Sequence, residues 1–242
     1  MYMRNISLAL LSLLIFFSSC RFMGGKRISG NNHVVTQQRQ HSNFHGVHVA
    51  GPFKVYISQG NNYSVRIEAE ENLMDYIITE RDGDVLDIKT KRNYRIRSHR
   101  DMKVFITAPN YRELSIAGSG GIWSEGKITH PSEMEISIAG SGDIIADVDA
   151  PKIKTEIAGS GTTILKGATR DFSADVAGSG DVRAFDLLSE NVDVEIAGSG
   201  NVQVFASKQL DVSIAGSGDV LYKGTPQIKQ SKSGSGTVRK AD

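Results

Sequence analysis

Cysteine is almost absent from this chain: Cys20 is the only one in 242 residues. That excludes an internal disulfide and a Cys-rich zinc site. Proline is scarce at 5 residues and tryptophan occurs once, so the chain is not a Pro-rich linker protein; its 25 glycines do not make it collagen-like either. An excess of one charge is missing too. The formal net charge is +1 with acids and bases interspersed, which gives no reason to expect a nucleic-acid partner. The motifs of common chemistries are also lacking. There is no phosphate-binding loop, no HExxH and no G-x-S-x-G elbow, and the serines of the GSG phrases have no histidine close by in sequence. No catalytic residue, cofactor site or metal site is therefore expected, and the chain is read as a non-enzyme. His33, His41, His45 and His48 cluster near the start of the mature chain. Their spacing would suit a metal, but surface histidines on a tether account for them as well.

What is present begins with one apolar run. ISLALLSLLIFF, residues 6–17, follows Arg4 and leads through Ser18 and Ser19 to Cys20. The run is shorter than the roughly 20 apolar residues needed to span a bilayer, and its flanks are those of a cleaved export signal. Phe17-Ser18-Ser19-Cys20 resembles the lipobox of bacterial lipoproteins, with Phe17 where leucine is usual. The resemblance implies cleavage before Cys20 and acylation of that residue, leaving residues 1–19 as the signal peptide. An ordinary secretory signal is the competing reading. A thiol with no partner for a disulfide favours the lipid. The glycine-containing, basic stretch that follows, with Arg21, Lys26 and Arg27, reads as a flexible tether over residues 20–40. No acidic residue follows the cysteine in the tether, which leaves a periplasm-facing orientation open beside the cell-surface one for a protein anchored in the outer membrane.

From Leu114 onward one phrase recurs: SIAGSGG, SIAGSGD, EIAGSGT, DVAGSGD, EIAGSGN, SIAGSGD and a decayed KSGSGT. Its first glycines are Gly118, Gly140, Gly159, Gly178, Gly198, Gly216 and Gly234, separated by 22, 19, 19, 20, 18 and 18 residues. A period near 19 is too short for helical-pair repeats or propeller blades, and the scaffold of a leucine-rich repeat is missing. Within each repeat, apolar and polar residues alternate with the two-residue period of a strand, as in Val212, Ile214 and Val220. One coil cannot bury enough apolar surface to offset ordering its backbone; stacking on neighbours at about 4.8 Å supplies the rest. The predicted fold is thus an all-β solenoid, a parallel β-helix with coils of about 19 residues. Like residues should form columns, with Ser119, Ser141, Ser160, Ser179, Ser199 and Ser217 in one, and Asp143, Thr162, Asp181, Asn201 and Asp219 in another. Thr162 and Asn201 would break a run of stacked carboxylates that repel each other. The glycines fit two accounts: a corner needing positive φ, or an inward face too thin for a side chain. A calcium-binding reading of GSGD is weak, since calcium nonapeptide repeats have a period of about nine.

Residues 41–113 lack the phrase but are rich in strand patterns, with turn signals at Gly60-Asn61-Asn62 and Asp82-Gly83-Asp84. They are read as irregular opening coils continuous with the repeats of 114–236, making one domain over 41–242; a separate small β domain is the alternative. Residues 70–78 could form a helical turn, a strand or a loop. KTKRNYRIRSHRDMK, residues 89–103, is basic, and Lys89, Lys91, Arg92, Arg95, Arg97 and Arg100 are candidates for binding a polyanion such as a lipopolysaccharide, a sulfated glycan or the membrane surface. A solvated face is the plainer explanation. Lys232 takes the place of the inward Ile of earlier repeats, which suits a polar final coil.

The stretches NFHGVHVAGPFKVYISQGNNYSVRIEAEENLMDYI (43–77), RDGDVLDIKTK (81–91) and KVFITAPNYRELSIAGSG (103–120), with the GSG repeats behind them, together resemble the head GIN domain family, whose members are labelled autotransporter adhesins of Bacteroides-like bacteria. The resemblance covers nearly the whole mature chain. It implies a right-handed parallel β-helix in an exported protein and brings no active site with it. The expected function is a noncatalytic cell-envelope lipoprotein, held to the membrane by its N-terminal lipid, that offers a repetitive surface to a glycan or cell-surface protein. Open ends and repeated faces would also allow homo-oligomers. The alternative is a carbohydrate-active β-helix enzyme, against which the near-minimal coils argue.

Overall fold

A computed structural model describes residues 25–241; residues 1–19, which the sequence reads as a signal peptide, lie outside the described residues, as do Cys20 and Arg21. Of the described residues 73% are strand and 3% helix, built as stacked parallel coils of about 19 residues in a solenoid of about 7 turns. Each coil pairs in parallel with the coils before and after it around a buried apolar interior. The repeated part starts with β10 (Glu113–Gly118) and β11 (Gly121–Thr129), continues with β12 (Glu133–Gly140), and then runs through the long strands β13 (Asp143–Gly159), β14 (Thr162–Gly178), β15 (Asp181–Gly198) and β16 (Asn201–Gly216). It closes with β17 (Asp219–Gly224), β18 (Gln227–Gly234) and β19 (Thr237–Lys240). In the long strands the first half pairs in one sheet and the second half in the other, all in parallel register.

The alternation read from the sequence becomes the core. Ile116, Ile138, Ile157, Val176, Ile196 and Ile214 form one inward column, and Ile122, Ile144, Thr163, Val182, Val202 and Val220 face it from the other sheet. The glycine-marked corner satisfies both accounts offered by the sequence, one at each glycine. The first glycine of every phrase has positive φ, from 115° at Gly118 to 138° at Gly198. The second has ordinary φ but no room: a Cβ on Gly142 would stand 2.5 Å from Gly120 O and 2.8 Å from Ile116 Cγ2. The backbone ladder runs through the corner without a gap, since Ser160 N donates to Gly140 O at 2.8 Å and Thr162 N to Gly142 O at 3.0 Å.

The first part of the domain is continuous with the repeats. β3 (Gly46–Ala50) pairs in parallel with β10, and β4 (Lys54–Gln59) with β11. Outside them, β7 (Val85–Thr90) extends one sheet and β9 (Lys103–Ala108) the other, still in parallel. Antiparallel strands then close this end: β5 (Ser64–Glu70) on β9, β2 (Val34–Arg39) on β5, and β6 (Ile77–Asp82) on β7. A 3-10 helix, Glu71–Tyr76, buries Leu73 and Met74 over the open end of the core.

One expectation is corrected. The sequence reads residues 20–40 as a flexible tether, yet Lys26–Ser29 form β1 and Val34–Arg39 form β2, both paired. The cause is long-range: β1 docks on β8 (Tyr94–Arg97), and Ile28 and Ile96 pack on the core. The opposite end is polar. Lys232 and Gln230 occupy the inward columns of Ile214 and Val212, and every residue of β18 is exposed.

Candidate functional site

The repeat glycines Gly118, Gly140, Gly159, Gly178, Gly198, Gly216 and Gly234 all sit at the corner, and their role is structural. What can meet a partner is the set of outward columns between the inward ones. Three differ sharply in chemistry.

The first is aromatic. Strands with the patterns VYI, VFI and IW place Tyr56, Phe105 and Trp123 at outward positions in register. Tyr56 stacks between Phe105 (centroids 5.1 Å apart, 17° between planes) and Trp123 (5.5 Å, 28°). The Arg66 guanidinium covers Phe105, 4.0 Å from its centroid. Beyond Trp123 the column continues with Ile145 and Ile164, then Arg183. Because the rings lie on one another, their edges face solvent while their faces are largely covered. No sequence motif announced this strip, although the three aromatics at alternate strand positions were its trace.

The second column is acidic. Glu156, Asp175 and Glu195 are adjacent in consecutive coils, with Ala158, Ala177 and Ala197 beside them flooring a groove of about 490 Å³. Burial, with Glu195, Glu156 and Asp193 nearby, pushes the Asp175 carboxyl up, against the pull of Lys154. Burial, Glu195 and Asp211 do the same for Asp193. Across the solenoid, the Asp143, Thr162, Asp181, Asn201, Asp219 column stands in register. Two of its hydrogen-bonding residues bind the neighbouring carboxylates: Asn201, an interruption, donates Nδ2 to Asp181 Oδ1 at 3.0 Å, and Thr237, next in line after Asp219, donates Oγ1 to Asp219 Oδ1 at 2.6 Å.

The third surface is basic, and only part of the sequence-derived set belongs to it. Lys89 lies on β7, bound to Glu80 and 3.3 Å from Asp87. Lys91 and Arg92 lie in the turn before β8, with Lys91 Nζ 5.9 Å from the Tyr94 ring centroid. Arg95 and Arg97 lie on β8, and Arg100 just after it. The structure adds two residues that sequence proximity could not supply. Lys26 and Arg27 of β1 stand beside Tyr94 and Arg95.

Glu70 clasps this flap. Its carboxylate is fully buried and accepts from Asn32 N at 2.6 Å, Ser98 Oγ at 2.6 Å and His99 N at 2.9 Å, so it ties the segments that leave the C-terminal ends of β1 and β8 to the end of β5. Burial alone would raise its pKa; the bonds from Ser98, Asn32 and His99 outweigh that and hold it down to about 2. Gly30 makes the fit possible, because a Cβ there would lie 2.1 Å from the Glu70 carboxylate.

The histidines do not converge. His33 lies 3.3 Å from Glu71, His41 bonds Thr79 and His48 bonds Asp87. Among the described residues no three His, Cys, Asp or Glu side chains are placed to hold a metal ion.

A family model described as "Putative auto-transporter adhesin, head GIN domain" matches residues 43–226. The chain belongs to the head GIN domain family. Several solved structures resemble it, among them the following three. A putative adhesin of Bacteroides fragilis has 23% identity and a TM-score of 0.81, covering 88% of this chain and 100% of that one. A putative lipid binding protein of Parabacteroides distasonis has 30% identity and a TM-score of 0.75 over 90% of this chain and 100% of that one. A putative adhesin of Parabacteroides merdae has 19% identity and a TM-score of 0.69 over 90% and 100%. Comparison with curated proteins returns no match. The head GIN match ends before β18 and β19, so the polar final coil lies beyond it.

Proposed function

We propose that this head GIN protein is a noncatalytic module of the cell envelope, exported and anchored through Cys20, that holds an extended partner by the outward columns of its solenoid. One observation carries the reading. From Gly118 to the last strand, successive strands are joined by only two or three residues. Enzymes that act on polysaccharides need walls to surround a sugar and bring acid and base groups to one bond, and connections this short build none. What they leave is a surface of aligned side chains, which suits recognition along a length. The adhesin label of the family and the export signal read from the sequence support the envelope location. The lipid-binding label of the Parabacteroides distasonis relative is in keeping with work near a membrane.

The test is to incubate the purified protein with a panel of acidic glycans and analyse both retention and products. Saturable retention with the glycan unchanged is the expected result. Shortened or unsaturated products would replace this reading with the enzymatic one.

A further inference from the structure

We infer that the β1–β8 flap is a membrane-facing surface that rests on anionic phospholipid headgroups and so sets how the solenoid stands on the bilayer. The inference rests on the anchored reading above for its geometry, but the recognition it describes belongs to the flap itself.

The flap is amphipathic across its two sides. In register, Arg27 lies beside Arg95, Ile28 beside Ile96, and Ser29 beside Arg97. Ile28 and Ile96 turn inward onto the core, with Tyr94 against Tyr76 at 4.7 Å between centroids. Strand alternation therefore puts Arg27, Arg95 and Arg97 together on the outer side.

Charge pairing separates this surface from its surroundings. Lys54, Lys89 and Arg66 nearby each meet a carboxylate. Among the described residues, Lys26, Arg27, Arg92, Arg97 and Arg100 form no ion pair, and all are exposed. Residues 89–100 contain no acidic residue. The surface is also held firm. Glu70 fixes the end where both strands finish, and the parallel pairing with the inward Ile28 and Ile96 holds the rest, so its cations are presented as a set rather than on a floppy arm.

Position chooses the occupant. Five residues, 21–25, separate Cys20 from Lys26. Fully extended they span no more than about 20 Å. An acylated Cys20 thus keeps the flap close to the headgroup layer, where the potential acts over about a Debye length of 8–10 Å. A lipid anchor of this kind is reinforced when basic residues beside it meet anionic lipid.

The experiment uses the mature chain with Cys20→Ser, so that no acyl chain contributes, and vesicles of phosphatidylcholine with or without phosphatidylglycerol. Binding is expected only with phosphatidylglycerol and should fade as salt rises. Each basic residue near the surface contributes roughly fivefold, so the triple variant Arg27→Gln, Arg92→Gln, Arg97→Gln should bind about 100-fold more weakly. A control with the same charge change at the far end, Lys229→Gln, Arg239→Gln, Lys240→Gln, should bind as the parent does. Both variants should melt with the parent, since the altered side chains are exposed. Equal loss in both triples, or retention on a soluble sulfated polysaccharide without vesicle binding, would overturn the inference. Mass analysis of Cys20 in the cell-derived protein tests the anchor separately. Missing acylation alongside intact vesicle binding would remove the anchored reading and leave the flap's chemistry standing.

Discussion

Ile157 and Gly180 lock two successive coils together: a Cβ built on Gly180 would stand 2.5 Å from Ile157 Cγ2 and 2.9 Å from Gly161 O. The same pairing recurs at Ile138 with Gly161 and Ile196 with Gly218. The phrase IAGSG therefore describes a contact between repeats. Its isoleucine fills the space that the second glycine of the next phrase leaves empty. Gly180→Ala should destabilise the protein by about 1–3 kcal/mol through overpacking. In an Ile157→Ala background the same change should cost less, leaving a coupling energy between the two sites in a double-mutant cycle of urea midpoints.

The first glycine is still less replaceable. Gly178 has φ of 121°, and a Cβ there would lie 2.5 Å from Gly159 O, which is backbone and cannot swing away. Gly178→Val combines that clash with a conformation β-branched residues avoid. The expected outcome is loss of the cooperative melt or a fall of more than about 4 kcal/mol, read by thermal unfolding.

Two buried hydroxyls point the other way. Thr155 Oγ1 and Thr163 Oγ1 are buried without a hydrogen-bond partner. Each occupies an inward column otherwise filled largely by aliphatic residues, among them Ile136 and Val194 for Thr155, and Ile144 and Val182 for Thr163. Thr155→Val and Thr163→Val keep the shape and remove the desolvated oxygen, so each should stabilise by about 1 kcal/mol. A rise in the urea midpoint is the readout.

Acid should release the flap before it disturbs the stack. The Glu70 pKa is depressed from 4.5 to about 2. A depressed folded-state pKa means that the clasp contributes fully above the unfolded value, and that this contribution is lost as pH falls from about 4.5 to about 2. Over that window, amide exchange at residues 26–33 and 94–99 should rise ahead of exchange in β13–β16. Glu70→Gln should reproduce the effect at neutral pH.

The acidic column has the opposite sign. Asp175 and Asp193 have raised pKa values, so their ionised forms oppose folding, and the opposition is relieved as pH falls through those raised values. Asp175→Asn should raise the melting temperature near neutrality, with the gain shrinking in acid as the parent carboxylate takes up its proton.

Much of this architecture was legible because it is periodic. The alternation of Val212 and Ile214, the glycine spacing and the Asp143 to Asp219 column are properties of neighbouring repeats, and neighbouring repeats are what stack. The flap was hidden for the converse reason. Arg27 and Arg95 are far apart in sequence, and β1 has little apolar pattern of its own; Ile28 finds its place only once β8 exists. Glu70 likewise looked like one more acid beside Glu71, since nothing local distinguishes a buried acceptor from a solvated one. The aromatic strip falls between these cases: strand alternation places Tyr56, Phe105 and Trp123 outward, but their alignment depends on which strands pair.

Because each coil accepts the isoleucine of the one before it and offers its own to the one after, a coil is an interchangeable cassette. Excising residues 162–180 would join Gly161 directly to Asp181, a junction of the kind already present throughout the repeats. The molecule behaves as a ruler graduated in steps of about 4.8 Å. Its reach can lengthen or shorten by whole graduations while the flap at one end and the polar coil at the other are left as they are.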